Sequence, residues 1–118
     1  MAGARMRRVN EAVREVLSSQ LAEGLKDPRI GFVTVTGVET SPDLRAARVY
    51  VSVLGDEDQR RATLEALESS RGFLQARIGD ELRMKRTPAL SFRYDETVER
   101  ADRMSRLIDE VAPREDDE

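Results

Sequence analysis

Val9, Val13, Val16, Leu17, Leu21 and Leu25 recur at helical spacing near the start of the chain, with charged and polar residues between them. That pattern predicts one amphipathic helix burying a single stripe, closed at Asp27-Pro28 because proline disfavours the helical state of the residue before it. From about Ile30 the period changes. Phe32, Val33, Thr34, Val35 and Thr36 are aromatic or β-branched, and Gly37 ahead of Val38 shifts the alternation by one, predicting a strand with a bulge. Ala47, Val49, Val51 and Val53 then alternate with Arg48, Tyr50, Ser52 and Leu54, giving one strongly apolar face and one mixed face. Ser41-Pro42-Asp43 supplies turn chemistry between the two runs, so they read as a hairpin.

Asp56 followed by Gln59 is a capping-box pattern opening a second helical region, and Leu64, Leu67, Leu74, Ile78 and Leu82 form its apolar stripe. An unbroken helix over 57–84 would extend about 40 Å, twice the roughly 20 Å of a short strand, so a kink is expected if both halves are to cover one small sheet. Gly72, within Ser70-Arg71-Gly72, is the expected breaking point, since glycine costs about 1 kcal/mol relative to alanine in a helix and takes left-handed geometry readily. Thr87-Pro88 closes the region, and Leu90, Phe92 and Tyr94 alternate with polar residues as a third strand. Asp95 is placed to cap a last helix carrying Val98, Ala101, Met104, Ser105, Ile108 and Val111, ending near Pro113. The resulting order, α-β-β-α-kink-α-β-α, describes an α+β domain with a three-stranded sheet packed against helices, the topology of a type II KH-like domain. KH domains hold nucleic-acid backbone with a GXXG loop between two helices, and that tetrapeptide is missing from this chain.

A length of 118 residues fits one domain, here 1–112, followed by an acidic tail at 113–118 too polar to fold. The apolar runs are far too short to cross a bilayer, and the arginines after Met1-Ala2-Gly3-Ala4 replace the apolar run of a secretory signal, so the cytoplasm is the expected location. With no cysteine and no histidine, disulfides, thiolate chemistry and the commonest neutral-pH base are excluded, which disfavours much of enzymology. Net charge is −3, but residues 109–118 carry six acids against Arg114, leaving 19 basic and 17 acidic residues in 1–108. Positive charge concentrates at Arg5, Arg7, Arg8 and Arg14, and again at Arg71, Arg77, Arg83, Lys85 and Arg86. Guanidinium groups grip phosphate bidentately and stack on bases, which suits RNA; a GC-rich genome or ordinary solvated helix faces would produce the same composition.

Specific segments resemble a known family. Arg8-Val9, DPRIG at 27 to 31, VTVTGVETSPDL at 33 to 44, ARVYVSVLG at 47 to 55, Gly72-Phe73-Leu74 and PALSFRYDE at 88 to 96 together are similar to bacterial ribosome-binding factor A over residues 5 to 111. The resemblance implies a type II KH-like fold in which a helix-kink-helix with an Ala-x-Gly signature replaces the GXXG loop. Here Ser70-Arg71-Gly72 stands at that place, with glycine kept and alanine replaced by serine. It further implies binding to 16S ribosomal RNA in the immature 30S subunit, help in late maturation including processing of the precursor's 5′ end, a part in growth in the cold, and release promoted by a ribosome-associated GTPase.

For the site itself, the backbone N–H groups at Gly72 to Leu74 open the second half of the kinked region, and helix N-termini attract phosphate. Ser70 offers a hydroxyl to a phosphate or to the following helix, and Arg71 reinforces the position. Arg77, Arg83, Lys85 and Arg86 extend a track, while Arg5, Arg7, Arg8 and Arg14 make a second basic edge; such contacts position a protein on RNA without reading sequence. Phe32, Phe73, Phe92, Tyr50 and Tyr94 are assigned mostly to packing rather than to stacking on bases. Asp80, Glu81, Asp95 and Glu96 are the carboxylates available for acid–base or Mg²⁺ chemistry, but no P-loop, dinucleotide fingerprint or metal-ligand cluster accompanies them, so neither catalysis nor a cofactor is expected. The chain is expected to be a monomer, and the competing reading is a protein-binding adaptor whose RNA contact is incidental. The acidic tail is either an inert solubilising end or a competitor of RNA for the basic face.

Overall fold

The computed structural model describes residues 3–25 and 27–96, with the order α1 (Gly3–Glu23), β1 (Val33–Thr40), β2 (Ala46–Val53), α2 (Glu57–Ser69), α3 (Arg71–Leu82) and β3 (Ala89–Tyr94). The last helix expected at Val98–Val111 and the acidic tail lie outside the described residues. Strand order is β1-β2-β3, antiparallel in the hairpin and parallel between β2 and β3. A parallel neighbour cannot be reached by a tight turn, and α2 with α3 supply the crossover.

The alternation read from β2 is realised: Ala47, Val49, Val51 and Val53 are buried, with Leu90 beside Ala47 and Phe92 beside Val49 on the same face. Against this face pack Val13 and Leu17 of α1, Leu67 of α2, and Leu74 and Ile78 of α3, all within 1% of complete burial. Each such side chain contributes about 1.5–3 kcal/mol through the surface it removes from water. The bulge forms where the alternation shifts. Val35 pairs with Val51 and Gly37 with Tyr50, leaving Thr36 unpaired in the ladder; its hydroxyl instead donates to Tyr50 O at 3.3 Å and to Asp95 Oδ2 at 2.5 Å. At the hairpin tip, Ser41 N–H donates to Ala46 O, Leu44 N–H to Ser41 O, and Arg45 N–H to Asp43 Oδ1 at 3.0 Å, with Leu44 in the left-handed region.

Three local expectations are corrected. The first helix stops at Glu23 rather than at Asp27, because Gly24 takes φ +87 and turns its N–H back to Leu21 O. A glycine past the last turn ends a helix before a downstream proline has to. Leu25 then meets the core from the connecting segment. Next, β1 starts at Val33, not near Ile30. Asp27 holds the preceding residues in a turn, its Oδ1 accepting from Arg29 N–H at 3.0 Å and its carbonyl from Ile30 N–H. Finally, Phe92 and Tyr94 do pack on the core, but Phe32 is 79% and Phe73 53% exposed, so these two aromatics are surface residues. Leu54, hydrogen bonded through its N–H to Phe32 O, is 73% exposed next to Phe32. Among the described residues no helix is long and apolar enough to cross a membrane.

Candidate nucleic-acid interface

The capping box opens α2 as the sequence indicates: Asp56 accepts from Gln59 N–H at 2.9 Å, and Gln59 Oε1 accepts from Asp56 N–H at 3.2 Å. The break follows 13 residues later, and it falls on Ser70 rather than on Gly72. Ser70 sits at φ −93, ψ 5, between helical and turn conformations, with its N–H still donating to Ala66 O and Leu67 O. Because Ser70 makes the turn, Gly72 has no positive φ to absorb and occupies an ordinary position in the first turn of α3. Nor does packing demand a glycine there, since a Cβ at Gly72 would meet nothing within 4 Å. Within α3 the crowded glycine is Gly79, where a Cβ would lie 2.7 Å from Thr87 Oγ1.

The first bond closing α3 is Leu74 N–H to Ser70 O at 3.0 Å, so the N–H groups of Arg71, Gly72 and Phe73 have no acceptor within the helix. Leu74 itself, expected to be part of this donor set, is committed. The Ser70 hydroxyl makes no capping bond to α3, and the backbone at Gly72, two residues on, opens onto free space. Arg71 is half-exposed and held by Glu68 at 3.2 Å across one turn of the break. A second arginine, not singled out by the sequence, completes this end. Arg29 binds Asp27 through Nη2 at 2.7 Å and Nε at 3.1 Å, and its Nη2 reaches Ser69 Oγ at 3.3 Å. The Arg29 guanidinium holds the Asp27 carboxyl below the ordinary carboxylate range, keeping the turn and its arginine locked together at neutral pH.

The remaining basic residues do not continue from this junction in one track. α3 is 12 residues long, which places its C-terminal end about 18 Å away. There Arg83 takes the left-handed conformation (φ 53, ψ 45) that ends the helix, with Met84 N–H returning to Gly79 O. Lys85 and Arg86 follow, and with Met84 they line a groove against Asp43, Leu44 and Arg45 of the hairpin tip. Ala89 N–H donates to Arg45 O at 2.9 Å and fixes this approach. The N-terminal turns of α1 belong to the same end, because Asn10 Oδ1 accepts from Thr40 N–H at 2.9 Å, next to the hairpin tip. Arg5, Arg7 and Arg8 lie one turn beyond Asn10. Arg83, Lys85 and Arg86 are exposed and have no ion pair among the described residues, whereas Arg45 pairs loosely with Asp43 at 3.9 Å. Asp43 is held below its ordinary pKa chiefly by the Ser41 hydroxyl and by the Arg45 backbone N–H.

Two of the expected residues stand apart. Arg77 turns toward α1, bonded to Glu81 at 3.0 Å with its Nε buried and unpartnered. Arg14 is paired to Glu11 on its own helix. The structure therefore sorts the sequence-selected residues into a junction end (Ser70, Arg71, Gly72), a hairpin end (Arg5, Arg7, Arg8, Arg83, Lys85, Arg86) and two internally paired arginines (Arg14, Arg77). Arg29 and Arg45 are the additions. Both follow an aspartate-containing turn, Asp27-Pro28 and Pro42-Asp43, and that spacing is the signal by which the sequence marks them. No group of three or more metal-ligating side chains occurs among the described residues.

Residues 5–108 match the family model for ribosome-binding factor A. A ribosome-binding factor A of Anaeromyxobacter dehalogenans is 54% identical over 105 residues, covering 88% of this chain and 76% of that protein. A solution NMR structure of a Thermotoga maritima protein is 36% identical with a TM-score of 0.72, covering 84% of this chain and 93% of that one. A Thermus thermophilus ribosome binding factor A homology model, fitted into the cryo-EM map of a 30S complex with that factor, is 29% identical with a TM-score of 0.61 and covers 73% of this chain and 90% of that one. The α+β, KH-like fold, the helix break without a GXXG loop and a family match across nearly the whole described chain lead to one conclusion: this chain belongs to the ribosome-binding factor A family.

Proposed function

We propose that the chain binds 16S rRNA in the immature 30S subunit and assists its late maturation, including formation of the precursor's 5′ end and growth in the cold, without catalysing a reaction. The observation that carries this reading is the match of residues 5–108 to the ribosome-binding factor A family. The basic residues at both ends of α3 support it. At the hairpin end, Arg83, Lys85 and Arg86 have no ion pair among the described residues and are placed to meet phosphates, with Arg45 across the groove and Arg5, Arg7 and Arg8 on the turns of α1 that lead to the hairpin tip. At the junction, the Ser70 hydroxyl, the bare Gly72 backbone and the open N–H groups offer a phosphate a neutral seat flanked by Arg71 and Arg29. Arg14 and Arg77 are secondary contacts, since RNA has to displace a glutamate to reach either.

The unit acting in this way is residues 1–112, a monomer in the cytoplasm, with the acidic 113–118 tail outside it. A ribosome-associated GTPase is the proposed agent of release. The adaptor alternative has no observation in its favour at these basic ends. The test is co-sedimentation of the full chain with small subunits at low and moderate salt. Binding that favours particles carrying precursor 16S RNA and weakens steeply with salt is expected; equal or absent binding to immature and mature particles contradicts the proposal.

A further inference from the structure

Between the two basic ends, α1 and α3 enclose a groove of about 310 Å³ whose chemistry is opposite to theirs. Glu15 and Glu23 of α1 and Glu81 of α3 line it, with Arg77 the one lining cation among the described residues, already bonded to Glu81. Glu15 and Glu23 have no ion pair among the described residues, although Arg14 lies close enough to Glu15 to feel its charge, so the described lining is net acidic. The second observation is Gln20. Its side chain lines the same groove at only 7% exposure, yet makes no hydrogen bond to any described residue. The carboxamide is not among the buried polar atoms left without a partner, so its oxygen and nitrogen reach the solvent of the groove and form a donor and acceptor set open to a ligand.

Phosphate is the wrong ligand for two carboxylates, so the α1 wall of the groove that carries Glu15 and Glu23 does not serve RNA. Glu15 and Glu23 are separated by eight residues, two turns of one helix face with Ser19 between them, or about 12 Å along the axis. Guanidinium groups carry the donors that carboxylates take bidentately, and two of them at that spacing leave the intervening segment over Gln20. We propose that the α1–α3 groove is a docking site for an arginine-bearing segment of a partner protein, with one guanidinium on Glu15, one on Glu23 and the segment's polar backbone on the Gln20 carboxamide. Arg77 serves as a positioning residue, holding Glu81 at the rim. This assignment does not depend on RNA binding.

The probe is the peptide acetyl-Arg-Ala-Ala-Ala-Arg-amide, whose arginines lie about 13 Å apart when extended, titrated into the full chain by NMR at low ionic strength. The Gln20 side-chain amide signals are expected to shift on binding. The same peptide with citrulline in place of both arginines should not bind, and the Glu15→Gln/Glu23→Gln variant, altered at two exposed positions, should bind the arginine peptide at least tenfold more weakly. Equal binding of the citrulline peptide, an unchanged affinity of the variant, or shifts at Gln20 produced as strongly by spermidine would overturn the proposal. On small subunits, the same variant should lose about tenfold in affinity while its binding to protein-free 16S rRNA is not weakened. Parallel loss on both, or loss on neither, counts against the site; failure of the unaltered chain to bind rRNA counts against the RNA reading and leaves the peptide titration to decide this one.

Discussion

The two ends of α3 carry similar charge but hold it differently. At the junction, each arginine is already answered from within the molecule, Arg71 by Glu68 and Arg29 by Asp27 and Ser69. At the hairpin end, Arg83, Lys85 and Arg86 stand without an ion pair among the described residues. A phosphate arriving at the junction therefore exchanges one partner for another, whereas one arriving at the hairpin end replaces only water, so charge alone misjudges which end contributes more to affinity. What the junction offers instead is shape, a Ser70 turn that exposes the backbone at Gly72.

The strongest way to break this comparison is to remove the charges of each end separately. Three phosphate contacts at about 1 kcal/mol each amount to roughly 100-fold in affinity, so Arg83→Ala/Lys85→Ala/Arg86→Ala should weaken rRNA binding on that order. Arg29→Ala/Arg71→Ala should cost about tenfold or less, because Asp27 and Glu68 already offset those charges. Filter-binding titrations on 16S rRNA check both, and equal losses would erase the distinction. A sharper test separates fold from function at one residue. Gly72→Ala meets no obstacle and should raise folding stability by about 1 kcal/mol, read from the urea midpoint, while lowering rRNA affinity if the backbone is approached there. Gly79→Ala should give no such gain, because Thr87 Oγ1 stands in the way. The smallest effect is at the far end of the helix. Arg83→Gly relieves a left-handed arginine and should add up to about 1 kcal/mol while removing one charge, so a thermal melt and an rRNA titration on the same variant should move in opposite directions.

How much of this was legible in the sequence follows from how local each signal is. The bulge at Gly37, the Asp56–Gln59 box and the buried face of β2 depend on neighbours in the chain or on a two-residue period, and all three are where the pattern puts them. The helix break was legible to within two residues. Its assignment to Gly72 rested on glycine's conformational freedom, but a single residue between helical and turn conformations suffices to turn the chain, and serine tolerates it. The first helix ended early for the complementary reason, Gly24 being the glycine that does take a positive φ.

The candidate site was legible as a set of residues and not as a place. A run of arginines along the sequence becomes one surface only if the elements bring it together, and here α3 carries Arg71 and Arg83 to opposite ends while turning Arg77 inward against α1. Arg29 and Arg45 escaped notice because isolated arginines have no periodicity; their significance comes from aspartate turns, one aiming the Arg29 side chain at Ser69 and the other setting the Arg45 carbonyl against the start of β3. Phe32 and Phe73 were misjudged because the alternation assigning them to the core is interrupted just before β1 and at the first turn of α3.

The central claim is that phosphates meet the unpaired charges of the hairpin end, and the salt dependence of rRNA binding tests it most directly. Each phosphate contact contributes roughly 0.7 to the slope of log K against log salt for single strands and about 0.9 for duplex, so replacing Arg83, Lys85 and Arg86 together should make that slope shallower by about two units. A slope unchanged from that of the unaltered chain, in a variant that remains folded, would contradict the account and move the interface away from this end.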